Sequence, residues 1–331
     1  MNENKLLAIL LDLSNIYNIM GDDYRSNAYY NAYFKLKNNK HILDNLINMI
    51  KDPSNENMLL KELKKIKGIG ESISTKIIEF MKTGSIKFYN DLKNDPDFNA
   101  VLLLSTIMGI GYKNAKYFVE KYDVRTIDEL RELYVNGDIK NKFNRAQILG
   151  LKFYDDLVQK IPKEEIKLFE HKLKKYINDN KLIYKFEIMG SYKRGKEFSR
   201  DIDLLVYKND IIKQSDIHMK YMTEFIEIVK KNAKYVDILS FGSSKFMGLF
   251  ILDKIVRHVD ILIVPMDNLY TSIQYFTGSK EFNVKMRQIA KSKGFKLNEK
   301  GLFKNNKQIK LESEKDIFKI LDINYIDPKY R

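Results

Sequence analysis

An internal repeat constrains the fold more than any other feature of the chain. "IKGIGESISTKIIEFMKTGSI" at 66–86 returns as "IMGIGYKNAKYFVEKYDVRTI" at 107–127, in register and without a gap. Each copy sets Gly-Ile-Gly between two helical patterns, with Gly68 and Gly70 in the first and Gly109 and Gly111 in the second. Glycine lets a backbone turn tightly and approach a ligand with no Cβ in the way. Ala115, Phe118, Val119 and Tyr122 fall at helical spacing and predict one buried helix face. Ile73, Ile77 and Phe80 take that role in the first copy. Each copy should therefore be two helices joined by a tight turn, presenting backbone N–H groups at a helix start where a phosphate oxygen fits.

This is the helix-hairpin-helix pattern of sequence-independent DNA binding, and the charge agrees with it. The formal net charge of +14 favours a polyanionic partner, nucleic acid ahead of an anionic membrane surface. A lysine-rich surface from biased coding is the competing reading, since Lys, Asn and Ile are all abundant. No apolar run approaches the roughly 18–20 residues of a membrane span, and the polar start "MNENKLLAIL" argues against a secretion signal. The absence of cysteine excludes disulfides and cysteine zinc sites and fits a reducing compartment. The expected setting is intracellular, with nuclear, cytoplasmic and viral settings all open.

Helical spacing dominates up to about residue 50, in "NKLLAILLDLSNIYNIM" and "ILDNLINMI", before "KDPSNEN" (51–57) breaks it. From about 186 the period changes. "KFEIMG", "DIDLLVY", "KFMGLFIL" and "RHVDILIVP" read as strands of one sheet, with a helix over 215–232 between the second and third. "ESEKDIFKIL" reads as a capped helix starting after Ser313. The fold class is α+β: helical domains with two hairpin motifs, then a sheet with helices and a small α/β C-terminal part.

Within "GSYKRGKEFSRDIDLLVY" (190–207), strand alternation puts Asp201 and Asp203 on one face and Ile202, Leu204 and Val206 in the core. "HVDILIVP" repeats the logic with Asp260 opposite Val259, Ile261 and Ile263. If the two strands are neighbours, three carboxylates converge, and repulsion should raise at least one pKa. A hard divalent cation with a substrate phosphate would resolve that conflict. The plainer reading is that Asp201 begins a strand and Asp203 faces water. Gly190 and Ser191 at the start of a helix, with Arg194 nearby, add a phosphate-holding context.

These residues resemble the nucleotidyltransferase superfamily, and over essentially the whole chain they resemble family X DNA polymerases, especially the DNA polymerase β-like members. "YFTGSKEFNVKMR" (275–287), "KGFKLNEKGL" and the terminal "SEKDIFKIL…YIDPKYR" carry the C-terminal part of the likeness. The resemblance implies a lyase-type helical domain at 1–90, a thumb-like DNA-binding subdomain at 91–160, a catalytic palm at 161–266 and a nucleotide-binding subdomain at 267–331, with no room for a preceding BRCT domain. It implies that Asp201 and Asp203 bind two Mg²⁺ ions, with Mn²⁺ as a substitute, and that Asp260 ligates the catalytic ion and helps activate the primer 3′-OH. Ser191 and Arg194 would hold the β and γ phosphates with help from Gly190 and Ser199. Tyr275, Phe276 and Gly278 would line the sugar pocket, Asn283 would face the minor-groove edge of the incoming base, and Arg287 the template strand. The Gly-Ile-Gly turns would hold DNA backbone, with Na⁺ or K⁺ at nearby carbonyls. Lys76 stands at the Schiff-base position of a 5′-deoxyribose phosphate lyase, and Arg25 with Tyr29 resembles the 5′-phosphate pocket.

The chain departs from the family pattern at four positions: Ser72 where a basic residue is usual, Lys280 beside the incoming base, and His258 and Leu262 in place of arginines near the third aspartate. The expected function is a template-directed, monomeric DNA polymerase that fills gapped or nicked DNA from dNTPs in base excision repair. A template-independent terminal transferase and a non-enzymatic helix-hairpin-helix DNA-binding protein are the alternatives.

Overall fold

The computed structural model describes residues 3–39, 45–46, 49, 56–66, 68–137, 139–208 and 215–331. The chain divides into two compact units, Met1–Lys152 and Phe153–Arg331. Among the described residues no helix is long and apolar enough to cross a membrane.

The first unit is helical. Its elements are α1 (Glu3–Ile19), α2 (Asp23–Lys37), α3 (Glu56–Lys65), α4 (Glu71–Thr83), α5 (Lys87–Asn94), α6 (Pro96–Leu104), α7 (Tyr112–Tyr122), α8 (Ile127–Val135) and α9 (Arg145–Lys152). Leu6, Leu10, Leu13, Ala32, Leu36, Leu59, Leu63 and Ile77 form a core without solvent contact. The break expected at 51–57 and most of the pattern at 42–50 lie outside the described residues, apart from Glu56 and Asn57 opening α3.

The repeat is structural as well as sequential. Gly68 and Gly109 have φ of +99° and +83°, a left-handed conformation that glycine adopts without strain. Gly70 and Gly111 precede α4 and α7 with φ, ψ of −86°, 177° and −85°, 171°, and neither helix start is capped by a side chain. The turns close on the same bond, Ile69 N to Ile66 O and Ile110 N to Ile107 O, both 2.9 Å. The buried faces correspond position by position: Ser74, Ile77, Ile78 and Met81 match Ala115, Phe118, Val119 and the half-buried Tyr122. Ser74 fits the alanine position because its hydroxyl bonds back to Gly70 O at 3.0 Å.

The copies differ in their support. α9 lies against the second turn so closely that a Cβ on Gly150 would stand 2.1 Å from Met108 O, and one on Gly109 would stand 3.0 Å from Gln147 N. They differ in charge too. Glu71 opens α4 and pairs with Lys64 across the first hairpin at 2.8 Å, whereas α7 has no acid in its first turn and carries Lys113 there.

The second unit is built on a sheet. Its strands are β1 (Ile161–Pro162), β2 (Lys185–Ile188), β3 (Phe198–Ser199), β4 (Ile202–Tyr207), β5 (Lys234–Phe241), β6 (Lys245–Leu252), β7 (Ile255–Val264), β8 (Phe295–Asn298), β9 (Gly301–Lys304) and β10 (Lys307–Gln308). Its helices are α10 (Tyr154–Leu157), α11 (Lys163–Asp179), α12 (Gly190–Lys193), α13 (Ser215–Asn232), α14 (Leu269–Thr277), α15 (Lys280–Ser292) and α16 (Glu314–Ile320). The main sheet runs β2-β4-β7-β6-β5, with β4 and β7 parallel and the other pairs antiparallel. Ile202, Leu204, Val206, Val259, Ile261 and Ile263 bury one face against α11 and α13. The other face carries Leu205 and Val264 under α14, and α15, β8, β9 and α16 enclose a separate small core. The strands and the 215–232 helix expected from periodicity are present; β5, with its two register shifts, is an addition.

Residues 153–160, read from sequence as the end of the second helical segment, belong to this unit. Asp156 Oδ2 accepts the Val256 N–H at 3.0 Å, and Gln159 O accepts from Arg257 Nη1 at 3.1 Å. Arg257 also makes a bidentate pair with Glu165, at 2.9 and 2.8 Å, inside the protein. Around α16 the Asp316 carboxylate accepts the N–H groups of Glu312 and Ser313, the capping expected there.

A Gly150→Ala substitution should destabilise the first unit by about 1–3 kcal/mol through overpacking. Gly111→Ala, with open space around its Cβ position, should cost at most about 1 kcal/mol, the preference of a helix N-cap for glycine over alanine. Urea midpoints of the two variants check both values.

Candidate active site

Register assembles the site. In the parallel pair Asp203 stands directly opposite Asp260, on strands roughly 4.8 Å apart. Their neighbours Ile202, Leu204, Val259 and Ile261 point to the core, so both carboxylates emerge on the opposite face. Asp201 lies one residue before β4 rather than in it, so strand alternation does not set its direction. It still interacts electrostatically with both other aspartates.

The three carboxylates are not equivalent. Burial first, and then repulsion from Asp201 and Asp260, holds the Asp203 carboxyl well above the usual carboxylate range, partly offset by Lys245 and Arg194. Asp201 is raised by burial and by Asp260, against the pull of His258 and Arg200. The upward shift expected from repulsion is present, with desolvation as its larger cause. Asp260 goes the other way: burial opposes its charge, but His258 and Lys245 outweigh burial and lower its pKa. Lys245 Nζ lies 3.2 Å from Asp260 Oδ2. His258 Nε2 lies 3.0 Å from Oδ1 but off the line a hydrogen bond needs, which leaves Oδ1 buried without a directed partner.

Gly190 fits this cluster. Its φ is +59°, and a Cβ there would stand 2.1 Å from Asp203 Oδ2, so the chain passes the carboxylate with no room for a side chain. Met189 N donates to Asp203 O at 2.8 Å, fixing α12 to the end of β4. Ser191 and Ser199 meet hydroxyl to hydroxyl at 2.7 Å. Arg194 donates from Nη1 to Thr277 O at 2.5 Å, and burial lowers its pKa although Asp203, Glu281 and Asp201 favour its charge.

A cavity of about 1350 Å³ opens over the cluster, above the roughly 300–1,000 Å³ of an ordinary small-molecule pocket. Gly190, Ser191, Arg194, Ser199, Asp201 and Asp203 line it together with Tyr275, Phe276, Gly278, Asn283 and Arg287. All the nucleotide-binding candidates are thus brought together. Gly278 has φ of +71°, and a Cβ there would press on Arg194 Nη1 at 3.0 Å.

Asn283 is tied down more than expected of a base-facing residue. Its Nδ2 donates to Tyr275 O at 2.7 Å and its Oδ1 accepts from Gln274 at 2.8 Å, which leaves one N–H to spare. Lys245 and the Glu299–Lys300 turn also line the cavity and were not singled out from sequence. Nothing local marks Lys245, whose acidic partner lies across the β6–β7 hairpin.

The donor set suits a hard divalent cation: carboxylate oxygens on one face, a buried oxygen lacking a directed partner, and a pair whose mutual charge burial disfavours. As they stand, no three carboxylate or imidazole side chains among the described residues are gathered closely enough to hold an ion. Lys245 and His258 flank Asp260 instead.

In the first unit Lys76 is half-buried on α4, its ammonium accepted by Ser72 Oγ at 2.9 Å and 5.3 Å from the Phe88 ring, and burial lowers its pKa against the effect of Glu79. Arg25 pairs with Asp22 at 2.6 Å and covers the Tyr17 ring. Tyr29 is buried and stacked on Tyr17, the ring that Arg25 covers, and Arg25 acts electrostatically on its hydroxyl.

Comparison with known proteins follows the same order along the chain. Residues 1–86 match a helix-hairpin-helix domain, 102–158 the fingers domain of DNA polymerase lambda, 160–266 the DNA polymerase beta palm and 272–331 the DNA polymerase beta thumb. The labels fingers and thumb fall on the segments expected to be thumb-like and nucleotide-binding, respectively. The chain is 26% identical to DNA polymerase lambda of Arabidopsis thaliana, over 96% of the chain and 60% of that protein. It is 27% identical to DNA polymerase lambda of Rattus norvegicus, over 96% and 54%. It is 26% identical to the DNA polymerase type-X family protein pol4 of Schizosaccharomyces pombe, over 82% and 56%. It therefore spans little more than half the length of these relatives. With these matches in one order over nearly all its residues, the chain belongs to the family X DNA polymerases.

Proposed function

We propose that the chain is a template-directed DNA polymerase that adds dNTPs at short gaps during repair. The parallel pairing of Asp203 with Asp260 beneath a cavity that also gathers Ser191, Arg194 and Gly278 is the observation that carries this reading. Similarity to family X repair polymerases supports it.

The division of labour follows from the side chains. Arg194 and the Ser191–Ser199 hydroxyls meet the β and γ phosphates of the incoming nucleotide. Tyr275, Phe276 and the bare backbone at Gly278 bound the sugar, where a 2′-hydroxyl would crowd. Asn283 has one N–H left for the base edge, and exposed Arg287 reaches the template strand. Asp201, Asp203 and Asp260 would hold two Mg²⁺ ions, and Asp260 would help activate the primer 3′-OH. When bound, such ions stabilise the attacking and leaving oxygens of an in-line displacement. In this reading residues 1–90 and 91–160 hold DNA, 161–266 is the catalytic palm and 267–331 seats the nucleotide. The Gly-Ile-Gly turns offer phosphate oxygens their uncapped helix starts. Lys76, its amine made easier to deprotonate by burial, serves a 5′-deoxyribose phosphate lyase through a Schiff base.

Incorporation into a one-nucleotide gap with a 5′-phosphate, compared with extension of a single-stranded primer, tests templating directly; equal extension of both would reject it. Asp260→Ala should cut incorporation to under about one hundredth of the parent, given that even supporting residues of metal sites cost 10–100-fold. DNA binding, measured by fluorescence anisotropy, should be retained. Arg194→Ala should raise the apparent dNTP Kd roughly 10–100-fold, the loss of one charge-assisted hydrogen bond, in pre-steady-state incorporation. Borohydride trapping on an abasic 5′-phosphate should require Lys76. Its rate should rise with pH around a midpoint below that of an ordinary lysine, since a depressed pKa supplies neutral amine earlier; an adduct unchanged by Lys76→Ala would remove the lyase assignment.

A further inference from the structure

The Asp260 carboxylate is flanked by two side chains of its own sheet, the Lys245 ammonium and the His258 imidazole. Lys245 opens β6, and the antiparallel register sets it opposite Leu262, two residues past Asp260 on β7. Side chains two apart on a strand share a face, so Lys245 reaches diagonally over that face to Oδ2 at 3.2 Å. Its side chain is 49% exposed and lines the cavity, so it has room to leave. Its charge also favours ionised Asp203. One ammonium thus serves the same carboxylates that a divalent ion would gather, and like charges cannot both occupy that place.

We propose that Lys245 is an internal counter-cation for Asp260: it holds the carboxylate in the ion-free protein, and a divalent ion displaces it into the cavity. The proposal rests on reading the three aspartates as a divalent-cation site. It gives a role to the 3.2 Å contact that Lys245 makes with Asp260 from across the β6–β7 pair. Ion binding and the lysine contact then exclude each other, so the lysine depresses the affinity of the free protein for the ion.

The test is Mn²⁺ binding to the full chain without DNA or nucleotide, read as loss of the free-ion signal in electron paramagnetic resonance. Lys245→Met should bind Mn²⁺ roughly fivefold or more tightly than the parent, the lower end of an ordinary coupling between sites. Lys245→Gln serves if the methionine variant does not fold, with the same expectation. Lys245→Arg, which keeps the charge, should stay near the parent. The ion-free Tm of Lys245→Met should fall relative to the parent, and saturating Mn²⁺ should close the gap. Unchanged or weaker Mn²⁺ affinity in folded Lys245→Met or Lys245→Gln overturns the proposal, provided Asp260→Ala still abolishes binding. If Asp260→Ala binds Mn²⁺ as the parent does, the cation-site reading itself fails, and the proposal with it.

Discussion

The chemistry of the second unit depends on one register: β4 and β7 run parallel with Asp203 facing Asp260. An apolar face beneath them forces both carboxylates upward, and a one-residue slip would turn them into the core. Sheet packing therefore stores an electrostatic conflict that the core alone cannot relieve. The surroundings are built to answer it, with Arg194 and Lys245 supplying positive charge, the His258 ring beside Asp260, and Gly190 leaving space beside Asp203.

Glycine recurs wherever backbone must come close to something else. Gly190 passes Asp203 and Gly150 passes Met108 at distances that a methyl group could not share, and Gly278 passes Arg194 with little room to spare. Gly190 and Gly278 shape the cavity; Gly150 braces a hairpin in the other unit. Arg257 with Glu165 does comparable work through charge, a buried bidentate pair tying β7 to α11 three residues before Asp260. Losing either partner would strand the other in a medium that solvates it poorly.

Much of this was legible in sequence because it is periodic. Alternation in "DIDLLVY" and "HVDILIVP" gave the facing of Asp203 and Asp260, and the 41-residue offset gave both hairpins. Asp201 escaped alternation by sitting just before its strand, and β5 was missed because its register shifts break a simple period. Lys245 was illegible for another reason: its partner depends on the length of the β6–β7 turn, a long-range fact that no local pattern encodes. Tyr29 was placed by likeness to a pocket, and no helical period in the sequence marks its stacking on Tyr17.

The two hairpins share a backbone but not a charge. The first opens with Glu71 paired to Lys64; the second opens with Lys113 and no acid in its first turn. A phosphate at the first helix start would therefore meet an acid already paired to a lysine, and one at the second would meet a lysine with no such pair.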